Sequence, residues 1–410
     1  MKPEKEPPTY TVRRIHLEKT EQLDTLAHAC GEVYTNTVVS FWRTVRKKGI
    51  WLKPKHMMRW INSEQLHAHT ADACVQSFFA SLASWRERRK ADPTAHPPRR
   101  RKWYFRIEYK QSAMKLKEGK LSLSNGRGND PLVLDWPDVL PQTLIIRWTG
   151  FCYEAIGTYL HYGPVEATGE KIAGVDLGEI HMAVSHDGEH THIVNGRYLR
   201  SKRQYRNKIQ AKLGAKIDLK KKGSKRRNKL VKAKKKMLKK LEHQINDIEH
   251  KQTTHLISTL HRDGVQMVVI GDVRDIRQDM DVGRPVNQKL HQWSFGSVRF
   301  KLTYKAQRQG MQVALQEERY TSRTCPACGH RKKSSPKGRN YVCQECGYKG
   351  HRDGVGAMNI RYKYHGDFAV PHVVGAMAPP TGMRFRPHTR VARHAGLGTF
   401  LPEQREATGL

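Results

Sequence analysis

KIAGVDLGEIHMAVSHDGEHTHIVNG, residues 171–196, reads as three β-strands in immediate succession, and that reading decides the fold. KIAGVDLG is an apolar strand that ends on Asp176, with the small residues Gly174 and Gly178 on either side. IHMAVSHDGEHTHIVNG gives two further strands joined by an Asp-Gly turn, a short-range hairpin signal. A long basic stretch follows at 201–260, where Leu238, Leu241, Ile245 and Ile248 form a helical stripe and KKKGSKRRNK marks a turn between two helices. Next come VQMVVIGDV as a buried strand, WSFGSVRFKLTYKAQRQG as a helix, MQVALQEE as another buried strand and HRDGVGAMNIRYKY as a last helix. Strand ends in a mixed sheet of this order open onto one crevice, where a site can form.

Between the last strand and the last helix lies TCPACGHRKKSSPKGRNYVCQECGY. Cys325 and Cys328 form one CxxC pair, Cys343 and Cys346 the other, with fourteen residues between them, five of which are Lys or Arg. Two such knuckles place four thiolates around one zinc ion, and four thiolates leave no open position for water, so the zinc is expected to be structural. A disulfide framework is not expected, because the sequence shows no signal peptide and Cys30, Cys74 and Cys152 are scattered in apolar contexts. This cysteine usage suits a reducing cytoplasm.

The chain carries 75 Lys and Arg against 38 acids, a net charge of +37, far more than solubility requires. The partner implied is a polyanion. No apolar run approaches a spanning length and the basic residues are spread along the whole chain, which favours nucleic acid over a membrane. Residues 1–9 are polar and Pro-rich, where disorder is expected, and YTVRRIHL at 10–17 alternates as a strand. A helix follows with Leu23, Leu26, Cys30, Val33, Thr37, Phe41 and Val45 on one face, and a second near 71–90 with Cys74, Val75, Phe78, Phe79, Leu82 and Trp85. After Pro97 and Pro98, short alternating segments run to about 165. A small barrel that begins with strand 10–17 and resumes after the helical insert accounts for them. Trp103, Tyr104 and Phe105 either stack on bases or fill that barrel. Beyond 366 the composition turns to Pro, Gly, Arg and His without periodicity, and disorder is expected.

Two-metal hydrolysis of a phosphodiester needs carboxylates from separate elements to hold two Mg²⁺ ions. Asp176 at a strand end fits one such ligand. Asp353 fits another at a helix start, where an N-cap role is the alternative. The element order is that of the ribonuclease H architecture. GVDLGEIHMAVS, VVIGDV, WSFGSVRFKLTYKA, YTSRTCPACG, YVCQECGY and HRDGVGAMNI together resemble the RuvC-type nuclease domain of transposon-encoded TnpB proteins and of miniature type V CRISPR effectors, over roughly 171–362. The resemblance implies a multidomain α/β plus β chain: a first barrel strand within 1–17, a helical recognition domain at 18–98 and a wedge-type β-barrel at 99–168. It further implies a RuvC-like nuclease at 169–320 that includes the basic helices 201–260, a target-binding zinc ribbon at 321–350, a second RuvC-like segment at 351–366 and a disordered tail at 367–410. The implied activity is RNA-guided cleavage of double-stranded DNA beside a short adjacent motif, with Mg²⁺ at the site. The guide is transposon-derived or a CRISPR RNA, and the protein is a monomer in the ribonucleoprotein, in the bacterial cytoplasm and on the nucleoid when bound to DNA.

One position departs from the family. Its third ligand is a Glu at the end of the fourth strand, where this chain has Gly271 followed by Asp272. Three explanations stand. Asp272 substitutes, although successive strand residues point to opposite faces. The site is dead, leaving a guided DNA-binding repressor. Or the carboxylate comes from the neighbouring strand, about 4.8 Å away, with Glu318 matching the displaced E-x-x-T-S pattern and Glu317 the runner-up. A nucleic-acid-binding zinc protein without a guide is a further alternative, against which the contexts of Asp176 and Asp353 argue.

Overall fold

The computed structural model describes residues 9–101, 104–161, 167, 169–273, 293–334, 336, 338–368, 380–385 and 400–403. Two compact units follow one another along the chain, Met1–Tyr162 and Gly163–Leu410.

The first unit contains β1 (Thr9–Leu17), α1 (Glu21–Lys48), α2 (Pro54–Met58), α3 (Ala68–Ala91), β2 (Ile107–Lys110), β3 (Met114–Lys117), β4 (Lys120–Leu123), β5 (Leu132–Asp135), β6 (Thr143–Trp148) and β7 (Tyr153–His161). Thr20 caps α1 by accepting from the Leu23 N–H at 3.2 Å. Acids fill its first turn and Arg46, Lys47 and Lys48 its last, each matched to the helix dipole. Antiparallel strands form two sheets, ordered β1-β7-β6-β2 and β3-β4-β5. No ladder among the described residues closes these into the expected barrel. The helices expected as a separate domain share one core with the sheets, in which Phe41 and Phe78 belong to the same buried cluster as Tyr109, Leu121, Trp136 and Leu144. Phe105 packs on Tyr34 with ring centroids 4.6 Å apart, and Tyr104 stacks on Trp148 at 5.2 Å. Those two rings line the core, and Trp103 lies outside the described residues.

The second unit contains β8 (Lys171–Asp176), β9 (His181–His186), β10 (Thr191–Asn195), α4 (Arg197–Asp218), α5 (Lys225–Arg262), β11 (Val265–Asp272), α6 (Phe295–Arg308), β12 (Gln312–Glu317), β13 (Asn340–Val342), β14 (Lys349–His351), α7 (Arg352–His365), β15 (Thr381–Phe385) and β16 (Phe400–Glu403). Its main sheet has the order β12-β11-β8-β9-β10-β15-β16. β8, β9 and β10 are antiparallel, while β11 lies parallel to β8 and β12 parallel to β11. The last two strands correct the expectation of disorder throughout 367–410. β15 pairs parallel with β10, and β16 pairs with β15. The open edge of β10 presents backbone groups that need partners whatever the side-chain composition, and composition is what the sequence reading used. The remaining tail residues, 369–379, 386–399 and 404–410, lie outside the described residues.

Strand alternation assigns the two faces of this sheet. Ala173 and Val175 of β8 stand level with Val268 and Ile270 of β11, and this row joins Leu256, Leu260, Val298 and Leu302 of α5 and α6 in one core. A buried carboxylate seats these helices. Glu249 of α5 accepts from Lys301 Nζ at 2.7 Å, Ser294 Oγ at 2.7 Å and Ser297 Oγ at 3.0 Å, and also from Arg203 of α4. The intervening row, Gly174 and Asp176 of β8 with Gly271 of β11, turns to the opposite face, where α7 packs. Among the described residues no helix is long and apolar enough to cross a membrane.

Gly174 is what lets α7 approach. A Cβ there would stand 2.1 Å from the Ala357 backbone carbonyl. Gly174→Ala is therefore expected to lower the stability of this unit by about 1–3 kcal/mol, read as an earlier midpoint in urea denaturation; an unchanged midpoint would mean that the helix gives way at no cost.

Candidate active site

Register across three strands builds the site. Val175 of β8 pairs with Ile270 of β11, and Ile270 pairs with Leu315 of β12. The next residues, Asp176, Gly271 and Gln316, therefore form one row on the face that α7 covers, and Glu318, two residues past Gln316, returns to that face. From there its side chain reaches back over Gly271. A Cβ on residue 271 would lie 1.8 Å from Glu318 Oε1 and 2.7 Å from its Cγ. The Glu318 carboxylate thus occupies the space that a side chain rooted at 271 would fill. α7 supplies the third acid. Gly356 lies against Asp176, with 2.8 Å between a built Cβ and Asp176 Oδ2, and Asp353, three residues earlier, shares that helix face. Asp353 sits inside the first turn of α7, one residue past its start, and is not the cap residue, which is His351.

The other acids weighed from the sequence lie elsewhere. Asp272 is paired with Arg299 Nη1 of α6 at 3.2 Å, on the other side of the sheet. Glu317 is exposed and ion-paired to Lys363 Nζ at 3.0 Å.

Two of the three carboxylates are short of donors. Glu318 Oε1 is buried and has no hydrogen-bond partner. Burial, then the nearby charges of Asp176 and Asp272, push its carboxyl up to about 9. Burial, then the charge of Asp353, lift Asp176 to about 7, against the pull of Arg352, Arg339 and the Leu177 N–H. Asp353 is the reverse case. Its Oδ1 accepts from Arg352 Nε at 2.9 Å, and its Oδ2 from Arg339 Nη1 at 2.6 Å with His181 Nδ1 at 2.8 Å. Burial alone would raise it, but the His181 hydrogen bond and the two guanidinium groups hold it far below the usual carboxylate range. The unpartnered Glu318 Oε1 and the raised carboxyl of Asp176 fit a divalent cation, since a cation supplies positive charge to both. His351 completes a group with His181 and Asp353 whose ligand atoms lie within 4.8 Å of one another. Arg339 and Arg352 on that same carboxylate oppose a cation there.

The sequence reading missed the partners of Asp353. Arg352 was available as its neighbour in HRDG, but Arg339 and His181 come from the ribbon and from β9, and no local pattern marks them.

The four cysteines converge. Their sulfurs lie within 4.8 Å of one another, with Cys325 and Cys346 at 3.7 Å and Cys328 and Cys343 at 3.6 Å. Four sulfurs about 2.3 Å from a central zinc ion stand roughly 3.8 Å apart, so the set fits zinc. Burial raises Cys343, yet the N–H groups of Cys346 and Glu345 outweigh it and draw the thiol down to about 7. Burial pushes Cys325 up to about 12. Tyr341, Tyr348 and Val355 pack around the cluster, and Asn359 of α7 donates to the Thr321 and Thr324 carbonyls at 2.6 and 2.8 Å, pinning the root of the ribbon.

Residues 151–277 match a family model described as a probable transposase (OrfB_IS605), and residues 295–360 match the Cas12f1-like TNB domain. The chain is 25% identical over 195 residues to the CRISPR-associated endodeoxyribonuclease Cas12f1 of Sulfoacidibacillus thermotolerans, covering 46% of this chain and 45% of that protein. It is 29% identical over 168 residues to the TnpB-like protein ORF457 of Acidianus two-tailed virus, covering 41% of this chain and 34% of that protein. The matches span less than half the length of these curated relatives. A cryo-EM structure of a Cas12f1–sgRNA–target DNA complex shares the fold, with a TM-score of 0.56 over 83% of this chain and 81% of that chain at 12% identity.

Two outcomes follow from the site's chemistry. Asp176 and Glu318 favour the proton in the folded state, so their contribution to stability is full below about pH 4 and is lost as pH rises through about 7 and then about 9. Metal-free wild type should therefore lose thermal stability between pH 5 and 9 more steeply than Glu318→Gln, which keeps the shape and removes the titration; parallel Tm profiles would refute the assigned burden. Cys343→Ser is expected to lose about one equivalent of bound zinc in a colorimetric metal assay, and full retention would rule out a four-thiolate site.

Proposed function

We propose that this chain, which belongs to the TnpB family, is an RNA-guided DNA endonuclease that hydrolyses target DNA in the crevice beside Asp176. The observation that carries the reading is Glu318 seated over Gly271. It supplies from β12 the carboxylate that β11 lacks, on the same face as Asp176 and Asp353. These three residues would hold magnesium, whose chemistry is to make a bound water acidic and to neutralise the departing oxygen.

The chain's own residues set the terms of loading. Glu318 must release its proton, so metal affinity rises with pH. Asp353 must be shared with, or freed from, Arg339 and Arg352. Four thiolates leave zinc no open coordination position, so the zinc is structural. The net charge of +37 supports a guide RNA and target DNA as partners. A short duplex motif and heteroduplex pairing would divide the recognition between them.

A second reading, a guided DNA binder without nuclease activity, is favoured by one observation: Asp353 is already fully engaged by Arg339, Arg352 and His181. Cleavage of a matched plasmid by the purified guide complex with Mg²⁺ separates the two. Asp176→Ala and Glu318→Gln are each expected to lose roughly 100-fold or more, while Glu317→Gln cleaves like wild type. Cleavage that survives Glu318→Gln would remove that residue from the site. Target binding by wild type without any cleavage would establish the second reading.

A further inference from the structure

Three arginines crowd one tyrosine ring just beyond the site. The Tyr320 centroid lies 4.2 Å from the guanidinium carbon of Arg331, 5.1 Å from that of Arg319 and 5.6 Å from that of Arg323. One such contact is an ordinary cation–π pair. Three on the same ring repel one another, and the ring face is a negative potential they share. Arg323 is further fixed by donating Nε to the Lys332 carbonyl at 3.0 Å. Arg319 and Arg331 are exposed, and beyond the ring neither guanidinium makes a hydrogen bond or ion pair with any described residue. The platform is held firmly. Tyr320 has φ 69°, an uncommon conformation for a residue with a side chain, and its carbonyl accepts from the N–H groups of Arg323 and Thr324 at 3.0 and 3.1 Å.

A triple cation with no counter-acid among the described residues, arrayed on a ring two residues past Glu318, is suited to a phosphodiester. We propose that Arg319, Arg323 and Arg331, arrayed on Tyr320, form a phosphate clamp for the DNA strand being cut. The inference rests on the nuclease reading, because Tyr320 shares a tight turn with Glu318 and that reading brings the scissile strand to Glu318. The Thr321 N–H donates to the Glu318 carbonyl at 3.1 Å, closing that turn. Guanidinium forks match phosphate oxygens and carry no sequence information, so the clamp would position any strand the guide selects. DNA is favoured over guide RNA because the clamp shares a turn with Glu318, to which the nuclease reading brings the strand being cut.

The test uses the full chain with its zinc but without added magnesium, and a fluorescein-labelled oligodeoxythymidine, with anisotropy followed against salt. Arg319→Gln/Arg331→Gln is expected to bind about tenfold more weakly, with a log–log salt slope shallower by about 1.4, roughly 0.7 for each phosphate no longer neutralised. Lys235→Gln/Lys236→Gln, an exposed pair on α5, serves as the charge-matched control and should stay within about twofold of wild type. Retained zinc content shows that the variants fold. Wild-type affinity and slope in the arginine variant, an equal loss in both pairs, or a loss confined to an oligouridine RNA probe would each overturn the clamp. A wild type that fails to cleave plasmid while the salt-slope difference persists would sink only the nuclease reading.

Discussion

Asp176 and Glu318 put two carboxylates into a volume with too few donors, and the architecture around them is organised by that deficit. In water the repulsion would be slight; beneath α7 the dielectric falls and each group finds relief by keeping its proton. Asp353, on the same helix face as Gly356, faces the opposite imbalance, with two guanidiniums and an imidazole on one carboxylate. The site is thus polarised along its length, donor-poor at the strand ends and donor-rich at the helix start. A divalent cation would relieve the first end directly and would have to compete with Arg339 and Arg352 at the second.

Gly271 and Glu318 are best regarded as one coupled feature. A strand-to-strand spacing of about 4.8 Å is within reach of a Glu side chain, so a carboxylate can be supplied from either of two parallel neighbours. A side chain at 271 would displace Glu318 from the position it holds, because a Cβ there would sit 1.8 Å from Glu318 Oε1. The glycine is therefore a steric requirement of the displaced acid. This also explains why Asp272 is no substitute: strand parity sends it to Arg299 on the far face.

Much of this was legible in the sequence, for reasons that differ by residue. Asp176 stands at the end of an apolar strand, and the two CxxC pairs carry their spacing openly. The E-x-x-T-S run that begins at Glu318 favours it over Glu317; parity and the ion pair of Glu317 to Lys363 agree with that order. Arg339 and His181 were invisible, because each meets Asp353 only through tertiary folding. Composition misled at β15 and β16, where an open sheet edge recruits chain that has no periodic pattern. The resemblance implied a helical domain at 18–98, and the stripes on α1 and α3 form part of a core shared with strands. Amphipathic faces announce that they will be covered, without saying by what.

The zinc ribbon connects these observations. In sequence it lies between Glu318 and Asp353, so its fold fixes how the chain returns from the end of β12 to the start of α7. Two constraints close that excursion: the four-sulfur cluster draws its knuckles together, and Asn359 ties Thr321 and Thr324 to the helix that carries Asp353. Arg339, which holds Asp353, lies on the same excursion, immediately before β13. A zinc ion held by the four cysteines would thereby shape an acid pair it never touches, since the cluster and the Asn359 contacts together shorten the loop that joins the two carboxylates.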